Sequence, residues 1–378
     1  MGLHEVSPQD FQFLKSYYEN YQMTSFTRNI SKFLGRRFKD MLTEKPFKII
    51  ERDGNINIIF VLPASEKPAG GSIVTHHHSL TINKLGHKGF QSQVIYPAEL
   101  QYDTNKFNSQ SIYKRDPNFD KDKDFVLIPE MMACRYAPIF LKLGIKYGIH
   151  VQNGYSLGLE VLLKIDDFST LKHVYEAADL IIANSEDTLE NVKTVFPDVS
   201  EKIIRSYFVI NKAKYQQVEN KQNIITYMPR KLGKHSALVL LFLGDKLPAN
   251  WSIKAIDGVT EQEVYDIFYE SKIFLSFSEF EGLAMPPAMA AMSGNKVIGY
   301  TGEANKEYFH LPCFEEVYCG DIKEFVRKIL AAVERFDAGE ENLDLTSIDY
   351  LKDLFSEERQ QSFIRELVEK VDEKLSQS

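Results

Sequence analysis

Short apolar runs alternate with segments of helical period along most of this chain. Ile56-Asn57-Ile58-Ile59-Phe60-Val61-Leu62-Pro63 reads as a buried strand, Lys67-Pro68-Ala69-Gly70-Gly71-Ser72 as a loop, and 73–86 as a helix. After the turn Gly86-His87-Lys88-Gly89 comes the strand Gln93-Val94-Ile95-Tyr96-Pro97, which completes one strand-helix-strand unit of a parallel sheet. The alternation continues with a strand at 125–129, a helix after Ala137, a strand at 148–152, a helix at 168–177, a strand at 179–184 and a helix at 186–196. Between about 206 and 222 the pattern turns polar and aperiodic, which marks a boundary between two halves.

A second series starts at Asn223-Ile224-Ile225-Thr226-Tyr227-Met228-Pro229. It runs through a helix at 235–243, a strand at 252–256, a helix at 261–270, the apolar run Ile273-Phe274-Leu275-Ser276-Phe277 and a small-residue helix beginning at Pro286-Pro287. A strand at 296–300, a strand at Val317-Tyr318-Cys319 and a helix at 321–335 follow, and a charged amphipathic helix over 355–374 ends the pattern. The fold class is therefore α/β, with two Rossmann-like domains facing a cleft and an N-terminal helical extension over 1–48. The expected domains are 49–207, joined by the C-terminal helix 355–378, and 208–354.

Composition narrows this picture. A chain of 378 residues exceeds the size at which one core usually keeps growing, and 44% hydrophobic with 26% charged residues is ordinary for a globular protein. No run approaches the roughly 18 consecutive apolar residues of a membrane span, and the start lacks the pattern of a secretory signal, so a cytoplasmic setting is expected. Cys134, Cys313 and Cys319 fit neither a disulfide framework nor a zinc set. A formal charge of -8 argues against nucleic acid as a partner. One local basic stripe, Arg28 to Lys48 interleaved with Phe33, Leu34, Phe38, Met41 and Leu42, fits either a helix packed on its own domain or a peripheral contact with a membrane surface.

The candidate chemistry lies at strand ends, where ligands bind in open α/β sheets. Ser278-Glu279-Phe280-Glu281-Gly282-Leu283-Ala284-Met285-Pro286 places a carboxylate and a flexible glycine between a strand and a helix. Glu281 can grip a sugar or ribose hydroxyl, and the amides of Leu283, Ala284 and Met285 can face a phosphate at a helix N-terminus; a plain helix cap is the alternative. Arg230, Lys231 and Lys234 follow another strand and can neutralise a diphosphate, Arg as a planar fork and Lys as a point charge. Gly70 and Gly71 allow close approach of backbone to a ligand, although no third glycine completes a dinucleotide fingerprint. Gln152, Asn153 and Tyr155 follow the strand at 148–152, suited either to a polyol or to turn formation. The run His76-His77-His78 is not a metal site, because adjacent helical residues point about 100° apart. No serine elbow, phosphate-binding Walker loop or zinc helix is present.

These residues resemble the retaining glycosyltransferases of the GT-B fold, and within them the GT4 family. The Ser278 to Tyr300 block is similar to that family's donor-binding segment Glu-Gly-Phe-Gly-Leu-Pro-x-x-Glu-Ala followed by Gly and Pro-Val-Ile. Ala178-Asp179-Leu180-Ile181-Ile182-Ala183-Asn184-Ser185 is similar to its Ala-Asp-x-Ile-x-x-Asn-Ser strand end, and Gly70-Gly71 to its glycine loop. The resemblance implies that Glu281 contacts the transferred sugar and that residues 282–285 hold the donor diphosphate. It implies that Arg230 and Lys234, with Lys231, stabilise the leaving phosphate, and that Ile256, Gly258 and Val259 lie near the base. The 49–207 domain would carry the acceptor, with Gln152, Asn153 and Tyr155 binding acceptor or sugar. It further implies a nucleotide-sugar donor, a glycan or lipid-linked acceptor in surface polysaccharide synthesis, and no metal or other cofactor.

Two positions depart from the pattern. The family's second glutamate, which usually holds the ribose, falls on Met289, which favours a deoxyribose donor such as a dTDP-sugar or an altered nucleoside seat. The histidine that often ends the fourth N-terminal strand is matched by Gln152, with His150 two residues before it. A non-catalytic protein of the same fold that binds a nucleotide or glycan is the alternative expectation; an epimerase or a phosphorylase fits less well.

Overall fold

The computed structural model describes residues 46–63, 70–97, 113–114, 118–163, 165–211, 221–341 and 344–377. The helix expected over 8–45 and most of the basic stripe lie outside these residues. Where the extension was expected to end, Lys48–Ile49 (β1) is instead a two-residue strand paired in parallel with Asn118–Phe119 (β5).

A seven-stranded sheet has the order β4-β3-β2-β6-β7-β8-β9, formed by Tyr113–Lys114 (β4), Gln91–Ile95 (β3), Asn57–Val61 (β2), Asp124–Pro129 (β6), Tyr147–Val151 (β7), Leu180–Ala183 (β8) and Ile203–Arg205 (β9). Every pairing is parallel. Parallel strands joined by crossovers are covered on both faces, which is why β2, β6, β7 and β8 read as continuous apolar runs. Successive residues then serve opposite cores. Ile59 and Val61 pack under the helices Ala133–Leu143 (α2) and Phe168–Ala177 (α4), whereas Ile58 and Phe60 pack on the other face.

That other face is covered by Gly70–Leu85 (α1) and by Glu357–Ser376 (α12), which ends the described chain. Phe363, Ile364, Leu367, Val368 and Val371 of α12 are buried against Ile58, Phe60, Phe125 and Leu127. Each such side chain contributes about 1.5–3 kcal/mol on burial, so the last helix returns to the first sheet although it follows the second in sequence.

The second sheet is also wholly parallel, with the order β11-β10-β12-β13-β14. Its strands are Ser252–Ala255 (β11), Gln222–Tyr227 (β10), Ser271–Glu281 (β12), Lys296–Glu303 (β13) and Phe314–Glu316 (β14). Gly233–Leu243 (α6) and Ile322–Asp337 (α10) cover one face; Glu261–Glu270 (α7), Met285–Met292 (α8) and Leu345–Leu354 (α11) cover the other. The short helices Leu159–Leu162 (α3) and Lys306–Phe309 (α9) and the longer Glu186–Val195 (α5) complete the set used below.

Several expectations are corrected. The strand expected at 317–319 lies at Phe314–Glu316, where backbone pairing to Val297, Ile298 and Gly299 outweighs the apolar Val317. The helix expected after Ala137 begins at Ala133 and carries Pro138 at its sixth position, past the free amides of the first turn, so the bond to the Cys134 carbonyl is forgone there. Gly70 and Gly71 open α1 and do not lie in a loop. Strand β9 lies just before the polar boundary and lacks an apolar run long enough to announce it. No described helix is long and apolar enough to cross a membrane.

Candidate functional site

The carboxyl end of β7 meets that of β12 through close backbone contact. A Cβ placed on Gly282 would lie 1.7 Å from the carbonyl oxygen of Gln152 and 3.0 Å from the Cα of Asn153, so only glycine fits. Asn153 Nδ2 donates to the Phe280 carbonyl at 2.9 Å, and the Tyr155 ring packs on Phe280 with centroids 4.9 Å apart. Phe280 itself has φ of 41°, a left-handed conformation unusual for an aromatic residue, and is 56% exposed. The turn predicted from glycine and carboxylate alone is thus held from the opposite sheet by the residues expected to face the acceptor.

Glu281 ends β12 with its carboxylate largely covered, and Lys231 Nζ donates to its Oε1. Desolvation, and after it the neighbouring Arg230, holds the Lys231 ammonium below its ordinary pKa. Arg230 points elsewhere: its Nε lies 3.8 Å from Asp257 Oδ1 and its side chain is 79% exposed. Lys234 is exposed in the first turn of α6. Of the three basic residues expected to face the diphosphate, the structure thus brings Lys231 to Glu281.

Three helix N-termini gather around this point. Met285 is the first residue of α8, and a Cβ on Gly70, the first residue of α1, would lie 3.3 Å from Met285 Cε. Helix α6 begins two residues after Lys231. Aligned peptide dipoles give each terminus about half a positive charge, which favours an anion between them. The amide assignment needs correction, however. Ala284 N donates to Asn305 Oδ1 at 2.8 Å, and Pro286 and Pro287 have no amide, so of the three expected donors Leu283 and Met285 remain.

On the first sheet, Gln152 faces α1. Its Nε2 donates to Gly71 O at 3.0 Å and to Thr75 Oγ1 at 2.7 Å. A Cβ on Gly71 would meet Gln152 Oε1 at 1.9 Å, so Gly71 makes room for this side chain. Tyr155 Oη donates to Asp187 Oδ1 at 3.1 Å, and burial pushes the Tyr155 phenol up to about 12. Beneath the turn, buried Glu130 accepts from Gln152 N at 3.1 Å and Asn153 N at 3.2 Å, and burial pushes its carboxyl up to about 7. Glu130 was missed by sequence reasoning, although it directly follows the strand ending in Pro129. The strand-end rule that selected Gln152 would have found it.

Other expected residues lie apart from this cluster. Ile256 is 3% exposed in an apolar cluster, so its side chain cannot face a base; Gly258 and Val259 are exposed on the loop after β11. Met289 is half-buried and packs on that same apolar cluster. His150 is buried with Nε2 3.2 Å from Asn184 Oδ1, and burial lowers it to about 4. His76 pairs with Tyr96 Oη at 2.7 Å, and His78 with the Tyr207 carbonyl at 3.0 Å, so the two rings serve separate partners. Among the described residues Cys134, Glu160 and Asp166 bring ligand atoms within 4.8 Å of one another; none of them belongs to the cluster around Glu281.

Arg205 of β9 and Glu307 of α9 join the two halves by a 2.7 Å ion pair, each side chain 9% exposed. Glu186 N, at the start of α5, donates to the other Glu307 oxygen at 3.1 Å. Sequence gave no sign of this pair, or of Asn305, because both partners are surface-type residues far apart in the chain.

No family model matches the chain. An alpha-1,6-glucosyltransferase of Actinobacillus pleuropneumoniae serotype 7 is 24% identical over 306 residues, 78% of this chain and 88% of the relative. Among solved structures, HepE of Anabaena in complex with UDP superposes with a TM-score of 0.62 at 12% identity, covering 85% of this chain and 100% of that one. Sucrose-phosphate synthase of Thermosynechococcus elongatus gives 0.59 at 11% identity, covering 86% and 100%. The lipopolysaccharide outer core galactosyltransferase WaaB gives 0.58 at 14% identity, covering 84% and 100%. These matches show the fold: two Rossmann-like units arranged as in the GT-B glycosyltransferases.

Proposed function

We propose that this protein is a glycosyltransferase that moves a sugar from a nucleotide-sugar donor to a glycan or lipid-linked acceptor. The observation that carries the reading is the Glu281-Lys231 pair set among three helix N-termini, at the ends of two facing parallel sheets. The glucosyltransferase relative and the UDP-bound neighbour support a UDP-hexose as donor, with UDP-glucose the first to test. The half-buried Met289 leaves a dTDP-sugar, dTDP-rhamnose included, as the competing donor. A role in surface polysaccharide synthesis accords with the WaaB likeness.

In this reading the diphosphate sits against the amides of Leu283 and Met285, with Lys231, the Arg230 fork and the Lys234 ammonium closing on it. Charge that develops on the leaving phosphate is then met by fixed donors and cations, the largest contribution a protein makes to such a reaction. Glu281 releases Lys231 to the phosphate and accepts from a sugar hydroxyl. Chemistry on one face of the sugar, with retention, needs no protein nucleophile: the departing phosphate takes the proton of the incoming hydroxyl. Asn153, Tyr155 and exposed Phe280 offer a polar and aromatic wall for the acceptor, with Gln152 behind it. No metal is assigned.

A thermal-shift screen of UDP, dTDP, GDP and ADP with their sugars tests the donor, since a ligand at 100 times its Kd stabilises by about 2.7 kcal/mol. A chain whose melting ignores all of them is not a nucleotide-sugar transferase. Glu281→Ala and Lys231→Ala should each lower turnover about 10²–10³-fold at unchanged melting temperature, as loss of one charge-stabilising group does elsewhere. Binding without turnover of any donor would favour the non-catalytic reading.

A further inference from the structure

Buried carboxylates are rare unless something needs them, and Glu130 is 7% exposed with no cationic partner at its oxygens among the described residues. What it has is geometry. One oxygen accepts from Gln152 N and the other from Asn153 N, so the carboxylate spans two successive amides just beyond β7. Those two residues are the ones that touch the opposite sheet: the Gln152 carbonyl lies under Gly282, and Asn153 Nδ2 holds the Phe280 carbonyl. The side chain of Gln152 reaches the other way, to Gly71 and Thr75 at the start of α1. A single carboxylate thus underlies contacts both to the start of α1 and to the Phe280-Gly282 turn.

We propose that Glu130 is a positioning residue that fixes the Gln152-Asn153 turn and, through it, the seat of the Phe280-Glu281-Gly282 turn across the cleft. Its bearing on turnover rests on the transferase reading; its bearing on the two turns does not. Two amides directed at one carboxyl group stabilise the ionised form, and burial opposes it, so the carboxyl changes state near neutral pH. Ionised, it accepts both bonds fully; protonated, one oxygen becomes a donor facing an amide and the turn loosens. The neighbouring ionisable groups cannot replace it. The Tyr175 phenol on α4, near Glu130, Cys134 and Glu160, is itself raised far above its ordinary range by burial. His150 on β7 is turned to Asn184 and is neutral, and Arg135 on α2 lies over the ring of Tyr136.

Hydrogen exchange of the full chain tests this at pH 8 in wild type and Glu130→Gln. Glutamine keeps the size but offers one acceptor and an amino group that meets an N–H, so peptides spanning Gln152-Asn153 and Phe280-Gly282 should exchange at least tenfold faster. Peptides from β10 and α12 should keep their rates. Unchanged rates at both turns, or a rise spread evenly over the chain, overturns the proposal. Should the variant not fold, wild type alone decides: after correction for intrinsic rates, protection of both turns must rise several-fold between pH 6 and pH 8, and a flat profile overturns the proposal. Where wild type binds UDP-glucose, the variant should weaken that binding several-fold at pH 8, and equal binding counts against the coupling. A wild type that ignores UDP-glucose defeats the donor assignment and leaves the exchange result to stand or fall separately.

Discussion

Gly282 has no room for even one methyl group, because the obstacle is the backbone of Gln152 and not a movable side chain. Gly282→Ala should therefore push the two sheets apart at the cleft, costing about 1–3 kcal/mol as small-to-large changes in packed sites do. Urea unfolding measures the cost, and titration with UDP-glucose should show binding lost by more than the stability change accounts for; normal stability with normal binding would mean the contact is not formed in solution. Glycine and carboxylate at a strand end could be read from the sequence, and so could Lys231, Gln152, Asn153 and Tyr155 near them. Which cation meets Glu281 could not, since Arg230, Lys231 and Lys234 share one loop and their aim depends on the left-handed turn at Leu232, with φ of 44°. Asn305 capping Ala284 and the left-handed Phe280 carry no local signal at all; both are imposed by tertiary contact.

At the scale of elements, period decided most of the outcome. Continuous apolar runs gave the central strands because both faces of a parallel sheet are buried, and the expected helix at 261–270 coincides with Glu261–Glu270, closed by the Thr260-Glu263 capping box. Ends were harder: β12 extends to Glu281, past the apolar run, because pairing with β13 continues to Glu303. Helix α12 is the element whose place is least obvious from its position in the chain, and its apolar stripe is what returns it to the first sheet. Leu367→Ala should destabilise by about 2–5 kcal/mol, as buried leucine truncations do, and an exposed-face control such as Glu366→Ala should change stability by less than 0.5 kcal/mol. Equal small effects in chemical denaturation would show that the helix does not seal that face. The Glu307→Gln change probes a second element-level contact: Arg205 then keeps only its longer carboxylate contact, to Glu186 at 3.6 Å, and a loss of about 1–3 kcal/mol in the same denaturation is expected.

Across the whole molecule, buried ionisable groups of opposite sign together set the pH profile of stability. His76, His78 and His150 are held near 4, 3 and 4 by burial, below the ordinary 6.5. Between about pH 4 and 6.5 the unfolded chain binds protons at these rings that the folded chain refuses, so stability present above 6.5 is lost as the pH falls through that window. Glu130 acts with the opposite sign. Its raised pKa makes the neutral acid the preferred folded form, so its contribution is fully present below the ordinary 4.5 and is lost as the pH rises through about 7. Three histidines against one carboxyl leave a net uptake of about two protons on unfolding, and stability should climb on the order of 2–3 kcal/mol per pH unit from 4.5 towards 6. At 6.5 the unfolded rings are still half protonated, by about 7.5 their remaining uptake and the Glu130 contribution nearly cancel, and Lys221, lowered to about 7 by burial, adds stability as the pH rises further, so the climb slows above 6.5 without reversing. Melting temperatures at pH 5, 6, 6.5, 7 and 8 should rise steeply to about 6.5 and more slowly above it, Glu130→Gln should steepen the rise between pH 5 and 7, and His150→Asn should shallow the acid limb. A profile that stays level between pH 4.5 and 6.5 would mean that the rings are solvated and charged in the folded chain, and with them the core joining α1 to the first sheet would have to be redrawn.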